Sequence, residues 1–360
     1  MSQFMLRALE LAEKAKGRTS PNPMVGAVIV RDNAIVGEGF HLRAGEDHAE
    51  IIALKQAGEN ARGATLYINL EPCCHYGKTP PCTDAIIAAG IRKVHMAILD
   101  PNPLVQGKGK SILEQAGIET SVGCCAAQAR QLNEVFCYWI DTKLPFVVAK
   151  FAMSLDGKIA TKTGHSRWIS SRESRVFGHK MRNEMDAILV GANTVKKDNP
   201  MLTTRLENVE VKHPIRVVMD SKEGLAHDAK IFSESLPGQT ILATTLARNF
   251  PKNVEVMVLP ENKGGVCIET LLKELGKRGI TSLLVEGGGT VLSSFFAHNH
   301  VNKILAFVAP MIIGGKDAPS PVGGEGINYI DEAFALRDVQ MTRLAEDIVV
   351  SGYCKRGGNV

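Results

Sequence analysis

His48 stands two residues before Glu50, and farther along the chain Glu71-Pro72-Cys73 is followed by Cys82. This order is close to an H-x-E … P-C-x-x-C pattern, in which one imidazole and two thiolates hold zinc and leave a fourth position for water. Each residue type has a task. A thiolate-rich site holds the metal without using the carboxylate, and the metal brings the pKa of the water towards about 7. Glu50 is then free to carry protons between that water and a departing amine. An open zinc site beside an unligated carboxylate implies hydrolysis. The spacing departs from the pattern at one place, because eight residues, CHYGKTPP, separate Cys73 from Cys82. Cys74 is therefore an alternative ligand, although Cys73 is favoured because it follows Glu71-Pro72. Structural zinc, or buried cysteines without catalysis, is the competing reading.

A second constellation lies far downstream, where the apolar run Leu283-Leu284-Val285 passes through Glu286 into Gly287, Gly288, Gly289 and Thr290. A strand that runs into glycines and then a helix, VLSSFFAHN, exposes backbone N–H groups suited to a pyrophosphate. It is not G-x-G-x-x-G, so a standard dinucleotide fingerprint is absent, and three glycines after a strand also make a plain tight turn.

The elements that must position these residues follow from periodicity. Helical spacing of Leu6, Leu9, Ala12 and Ala15 predicts a first helix over 4–16, followed by strands at VGAVIV and AIVGEG around a turn at Asp32 and Asn33. A helix from His48, a strand ATLYINL, the Cys/Pro/Gly loop, a helix TDAIIAAG, a strand KVHMAIL and a further helix-strand-helix complete an α/β layer sandwich. The segment DTKLPFVVAK opens a new apolar strand after a polar, Pro-marked patch, which sets a boundary between domains 1–144 and 145–360. The second half again alternates, with strands FVVAKFAM, DAILVG, PIRVVMD, QTILATT and SLLVEG, and a long loop from Gly314 to Gly326.

Composition bounds the partners. With 360 residues, 44% hydrophobic and 22% charged, the chain can bury two cores, and a net charge of +4 with 5% aromatics gives no nucleic-acid-binding stripe. The first residues lack a signal peptide's apolar core, and no run approaches the roughly 20 apolar residues of a membrane span. A cytoplasmic protein without membrane or nucleic-acid partners is the expectation. Eight cysteines, three of them between positions 73 and 82, suit metal binding better than a disulfide scaffold.

EPCCHYGKTPPC strongly resembles the EPC-[SC]-H-x-G-[RK]-TPPC motif of the bacterial RibD/RibG family, the bifunctional deaminase/reductases of riboflavin synthesis. TSPNP with Val25-Gly26, GEGFH (37–41) and DPNP (100–103) extend the match. KFAMSLDGKIA, SRWIS, His179 to Arg182, GANTV, DNPMLTTR, PIRVVMDS, VEGGG and APMIIGG carry it through the second half. The resemblance implies a cytidine-deaminase-like α/β/α sandwich followed by a dihydrofolate-reductase-like α/β domain that uses NADPH. It implies zinc-dependent hydrolytic deamination of 2,5-diamino-6-(5-phosphoribosylamino)pyrimidin-4(3H)-one. It further implies that the ribosyl chain of 5-amino-6-(5-phosphoribosylamino)uracil would then be reduced to ribityl by NADPH. A homo-oligomer is expected.

Carried over position by position, Asn22, His41, His75, Lys78, Asp100 and Asn102 would line the pyrimidine and ribose-phosphate pocket. Ala152, Trp168, Thr194, Asp198 and Ser221, with Gly288, Gly289 and Thr290, would contact NADPH. Ser166, Arg182, Leu202, Arg205 and Glu286 would hold the reductase substrate, the two arginines as a phosphate clamp. Lys150 and Asp156 are further pocket candidates. Blander readings stand beside these: Asp100-Pro-Asn-Pro is a good turn sequence, Lys78 a solvated loop lysine, Trp168 a core residue, and the arginines members of ion pairs. A nucleic-acid-editing deaminase, the rival class, predicts C-x-x-C spacing and a basic, aromatic face.

Overall fold

The computed structural model describes residues 2–76, 80–221 and 224–356. The chain divides into two compact units, Met1–Lys143 and Leu144–Val360. Among the described residues, no helix is long and apolar enough to cross a membrane.

The first unit is built on a five-stranded sheet of β1 (Gly26–Arg31), β2 (Ala34–Phe40), β3 (Thr65–Leu70), β4 (Lys93–Ile98) and β5 (Glu119–Val122), in the order β2-β1-β3-β4-β5. The β1–β2 hairpin turns at Asp32 and Asn33, which have φ of 50° and 62°, values that short polar side chains tolerate. Six helices accompany the sheet: α1 (Ser2–Glu13), α2 (Ala49–Ala57), α3 (Cys82–Ala88), α4 (Lys108–Gln115), α5 (Ala126–Leu132) and α6 (Glu134–Thr142). Helix α1 buries Met5, Ala8, Leu9 and Ala12 but leaves Leu6 43% exposed, so its inward face is turned from the Leu6-Leu9-Ala12-Ala15 stripe that periodicity suggests. Helix α2, which carries His48 at its N-cap and Glu50 in its first turn, lies so close to β2 that only glycine fits beneath it. A Cβ on Gly37 would stand 2.3 Å from the Ala53 oxygen, and one on Gly39 2.3 Å from the Ala49 oxygen. The GEG of β2 is therefore explained by helix seating.

The second unit is a nine-stranded sheet whose parallel part comprises β6 (Phe146–Ser154), β7 (Ala187–Gly191), β8 (Ile215–Met219), β9 (Thr240–Thr244) and β10 (Val254–Val258). A two-residue-per-strand hairpin, β11 (Glu261–Asn262) and β12 (Gly265–Val266), stands apart from it. Parallel β13 (Ser282–Val285) and β14 (Lys303–Ala309) follow, and an antiparallel hairpin of β15 (Phe334–Leu344) and β16 (Asp347–Arg356) completes the order β10-β9-β8-β7-β13-β6-β14-β16-β15. Helices α7 (Arg172–Glu184), α8 (Ala192–Asp198), α9 (Ile268–Lys277) and α10 (Gly289–Ala297) connect the strands. From β7 the chain continues to β8 on one side, whereas from β13 it continues to β14 on the other. The sheet thus has its topological switch point between β7 and β13, where open α/β sheets place ligands beyond the strand C-termini.

Candidate active sites

In the first unit, α2 and α3 begin at the same place. His48 is the N-cap of α2, Cys82 is the first residue of α3, and Cys73 lies in the loop after β3. The ligand atoms of His48, Cys73 and Cys82 lie within 4.8 Å of one another. His48 Nδ1 is 3.2 Å from Cys82 Sγ and 3.5 Å from Cys73 Sγ, and the Cys82 amide donates to Cys73 Sγ at 3.4 Å. Contacts from Cys82 and His48 outweigh burial and lower the Cys73 pKa to about 4, which favours the thiolate that a metal requires. One imidazole nitrogen and two sulfurs at this spacing fit tetrahedral zinc with three protein ligands. Cys74 turns the other way, its thiol 3.9 Å from the Leu104 oxygen.

Glu50 sits in the first turn of α2 with 3% exposure, and burial, helped by the nearby Cys73 charge, pushes its carboxyl up to about 7. The imidazole of His41, 2% exposed, packs edge-on against that of His48 at 5.2 Å. His41 Nδ1 donates to the Asp47 carbonyl at 3.1 Å, so its Nε2 accepts from Asn22 Nδ2, also at 3.1 Å. Burial lowers the His41 pKa and keeps the ring neutral. Asn22 and His41 therefore reach the turn that precedes His48. Asp100 and Asn102 make successive side-chain turns, Asp100 Oδ1 accepting from the Asn102 amide and Asn102 Oδ1 from that of Leu104. The turn reading holds, and the Asp100 carboxyl is raised chiefly by burial, with the Glu71 and Cys73 charges adding to it. His75 is exposed, and Lys78 lies outside the described residues.

Sequence reasoning missed Glu71. Its buried carboxylate accepts the amides of Asp100 at 3.1 Å, Gly107 at 2.9 Å and Lys110 at 2.9 Å, and so fixes the loop that carries Asp100 and Asn102. A charged residue directly after the buried strand β3 was the available signal.

In the second unit a charged cluster forms where α7, β6, the end of β13 and segment 203–205 meet. Both arms of Arg182 bind Glu286, Nε to Oε1 and Nη2 to Oε2, and Nη1 donates to the Thr203 oxygen at 3.4 Å. Lys150 on β6 acts on Glu286 and Arg182, and its burial lowers its pKa. Arg205 is exposed, next to His179. Leu202 is buried with φ of 52°, at the bend that delivers this segment.

Of the residues expected at NADPH, Thr194, Gly288 and Gly289 meet at the switch point. A Cβ on Gly287 or Gly288 would come within 3.1 or 3.2 Å of Thr194 Oγ1, so the glycines after β13 pack directly on the start of α8 after β7. Gly289 opens α10 and is packed by the 320–323 turn, whose Gly323 amide donates to its carbonyl at 3.0 Å. The Gly314–Gly326 stretch thereby acquires a fixed end against α10. Trp168 is not core: it is 66% exposed, with the Arg175 guanidinium 4.5 Å from its ring. Arg167 Nη2 donates to the Asp198 carbonyl at 3.0 Å, which ties the Ser166–Trp168 segment to the end of α8. Ser221 follows β8, and Ala152 lies on β6 opposite Phe307. Asp156 serves as a loop clamp, its carboxylate accepting from Ser154 Oγ and from the amides of Ile313 and Gly314.

The family model described as the cytidine and deoxycytidylate deaminase zinc-binding region matches residues 1–98, and that of the RibD C-terminal domain matches residues 145–350. The riboflavin biosynthesis protein RibD of Aquifex aeolicus is 46% identical over 353 residues, covering 96% of each chain. That of Escherichia coli is 41% identical, covering 96% of this chain and 97% of its own. Among solved structures, Acinetobacter baumannii RibD superposes with a TM-score of 0.88 at 36% identity, covering 99% of each chain. A Thermotoga maritima structure described as a diaminohydroxyphosphoribosylaminopyrimidine deaminase/5-amino-6-(5-phosphoribosylamino)uracil reductase matches with a TM-score of 0.86 at 38% identity, covering 98% of each.

Proposed function

Because the chain belongs to the RibD family of riboflavin biosynthesis proteins, with a zinc-binding deaminase region and a reductase domain, we propose that it acts on the two compounds named for the Thermotoga relative. The first unit deaminates the phosphoribosylamino pyrimidine, and the second reduces the ribosyl side chain of the resulting uracil to ribityl. The observation that carries this reading is that one chain holds both a His48/Cys73/Cys82 ligand set beside buried Glu50 and a cluster of Lys150, Arg182 and Glu286 where β13 ends at the topological switch point of the second sheet.

His48, Cys73 and Cys82 would hold zinc, with Cys74 directed elsewhere. When bound, zinc supplies the Lewis acidity that makes a water nucleophilic near neutral pH. Glu50, two residues beyond His48 and walled from solvent, moves a proton between the attacking water and the departing ring amine. Asn22, His41, His75, Asp100 and Asn102 form the substrate side of this pocket. In the second unit Thr194, Gly288, Gly289 and Thr290 bind NADPH at the β7/β13 switch point, with Ala152, Trp168, Asp198 and Ser221 completing its contacts. NADPH supplies the hydride, and the protein's part is alignment. Among the described residues of this cluster, Arg182 and Lys150 act on the carboxylate of Glu286 and Arg205 lies within reach of the Arg182 charge, so three cations stand against one carboxylate, an excess that suits a phosphorylated substrate. Since Glu286 occupies the Arg182 fork, Arg205 is the arm free to take the phosphate, and Ser166 and Leu202 shape the rest.

A cytoplasmic location accords with eight free cysteines. The outer edge of β15, where Met341 is 73% and Val339 45% exposed, supports a homo-oligomer of this chain. Neither reaction requires a nucleic-acid or membrane partner. One preparation tests the whole: zinc content, ammonia release and NADPH oxidation on the phosphoribosylamino pyrimidine. Glu50→Gln should keep zinc, lower ammonia release by at least about 100-fold and leave reduction of pre-deaminated substrate intact. Normal deamination by this variant would remove Glu50 from the reaction.

A further inference from the structure

Helix α7 and segment 203–205 meet at a histidine that the chemistry above leaves unused. The Arg205 amide donates to His179 Nδ1 at 3.3 Å, and Arg205 Nη2 lies 3.3 Å from Nε2 of the same ring. A neutral imidazole has one acceptor nitrogen and one N–H, whereas both Arg205 groups are donors only. In either tautomer, then, one of the two contacts sets a donor against a donor. The backbone amide has a fixed direction and claims Nδ1 as acceptor, which leaves Nε2–H beside the guanidinium. Protonating the ring would not help, because two N–H groups would then face two donors. Burial, together with the Arg182 and Arg205 charges and against the pull of Glu286, pushes the pKa of His179 down to about 4 and keeps it neutral. Lys150 adds a further cation on that side. The carboxylate of this neighbourhood, Glu286, is engaged by Arg182 through both oxygens. The pair His179 Nε2–H and Arg205 Nη2 therefore converges on a place that calls for an acceptor from outside the cluster, and an anion satisfies both at once.

We propose that His179 binds the anionic group of the reductase substrate, its Nε2–H donating to a phosphate oxygen beside the Arg205 guanidinium while its Nδ1 holds the Arg205 amide. This rests on the reading of Arg205 as a phosphate ligand. His179 has two linked effects there. It adds a directional donor without adding charge, and it sets the backbone from which Arg205 reaches the same oxygen cluster.

The test is steady-state NADPH oxidation with the phosphorylated uracil substrate, with inorganic phosphate as competing probe, for wild type, His179→Phe, His179→Gln and Arg205→Ala. His179→Phe removes both ring nitrogens. It should raise KM and the inhibition constant of phosphate together by about tenfold, the lower end for a hydrogen bond to a charged group, with little change in kcat. His179→Gln places an amide N–H about where Nε2 stands and should recover most of both. If Arg205→Ala weakens substrate and phosphate while His179→Phe changes neither, the inference about His179 falls and the clamp stands. If both variants leave both constants unchanged, the clamp itself is wrong. If His179→Phe and His179→Gln raise KM equally, with a lowered melting temperature, His179 is structural and the inference is overturned.

Discussion

Arg182 and Glu286 form a two-armed ion pair, Nε–Oε1 at 2.9 Å and Nη2–Oε2 at 2.5 Å, with only 15% and 8% of the side chains exposed. Burial alone would push the Glu286 carboxyl up, but Arg182 and Lys150 outweigh it and hold the pKa at about 2. A depressed carboxylate pKa contributes stability above the ordinary carboxylate range and loses it as pH falls through the folded value. Arg182→Met leaves a buried carboxylate without its fork, so the reductase unit should lose about 3 to 5 kcal/mol at neutral pH. Arg182→Met combined with Glu286→Leu should recover much of that loss, because no orphan charge remains. Calorimetric melting of Arg182→Met, Glu286→Leu and the double variant checks this, and additive losses in the double variant would show that the two residues do not act as a pair.

The zinc prediction turns on which of two adjacent cysteines faces His48. Cys73 and Cys82 do, whereas the Cys74 thiol points to the Leu104 oxygen. Cys82→Ser should remove zinc and ammonia release together, while Cys74→Ser should keep both, as read by metal analysis on the purified protein. Full zinc in Cys82→Ser, with loss in Cys74→Ser, would reverse the ligand set.

The metal cluster was legible because its chemistry is written in residue type and spacing, and the strand DAILVG because it is a short apolar run that becomes buried β7. Strand β15 was not legible. Its sequence FALRDVQMTRL lies largely exposed at the sheet edge and shows no buried alternation, and its two-residue turn carries Ala345 at φ of 56° in place of an Asn-Gly signal. Strands β10 and β14 were also missed, the latter an apolar run five residues after the apolar helix α10. The hidden site residues share another cause. Glu71 and His179 act on backbone amides distant in sequence, and although the charge of Glu71 after strand β3 was a signal, the amides that these side chains hold are not written in residue pattern. The glycines carry a further requirement that residue pattern does not show, since Gly37 and Gly287 are needed for close packing on a helix and on Thr194.

Asp100 gives a pH prediction. Burial is the main cause that raises its carboxyl from 3.8 to about 6, and the Asn102 amide only partly opposes it. A carboxyl whose folded pKa is raised favours the folded state most below the unfolded value, and this advantage is lost as pH rises from about 4 through about 6. Asp100→Asn should therefore match wild type in stability near pH 4 and exceed it above pH 7, by up to about 3 kcal/mol at 1.36 kcal/mol per pKa unit. The chain has two tryptophans, Trp139 and Trp168, so fluorescence in a Trp168→Phe background reports unfolding of the first unit alone. A pH-independent difference between wild type and Asp100→Asn would mean that the carboxyl is not held in a desolvated place.

The last prediction concerns the loop that Glu71 holds. Three amides, from Asp100, Gly107 and Lys110, converge on its two oxygens, and a Cβ on Gly109 would stand 2.3 Å from the Pro72 oxygen. The loop is thus held from two directions, by charge-assisted hydrogen bonds and by contact that only glycine permits. Glu71→Gln keeps the shape, but whichever way its amide turns, the NH2 faces at least one backbone donor. The loss should be about 1.5 to 3 kcal/mol, the range for hydrogen bonds to a charged acceptor. Gly109→Ala should displace the same loop without touching the carboxylate. Both variants should keep zinc, because His48, Cys73 and Cys82 are unchanged, and both should raise KM for deamination through misplaced Asp100 and Asn102. Hydrogen exchange gives the direct measurement: the Asp100, Gly107 and Lys110 amides should lose protection in Glu71→Gln while β3 and β4 keep theirs. If those three amides stay protected in Glu71→Gln and KM rises all the same, the carboxylate acts on the substrate and not on the loop.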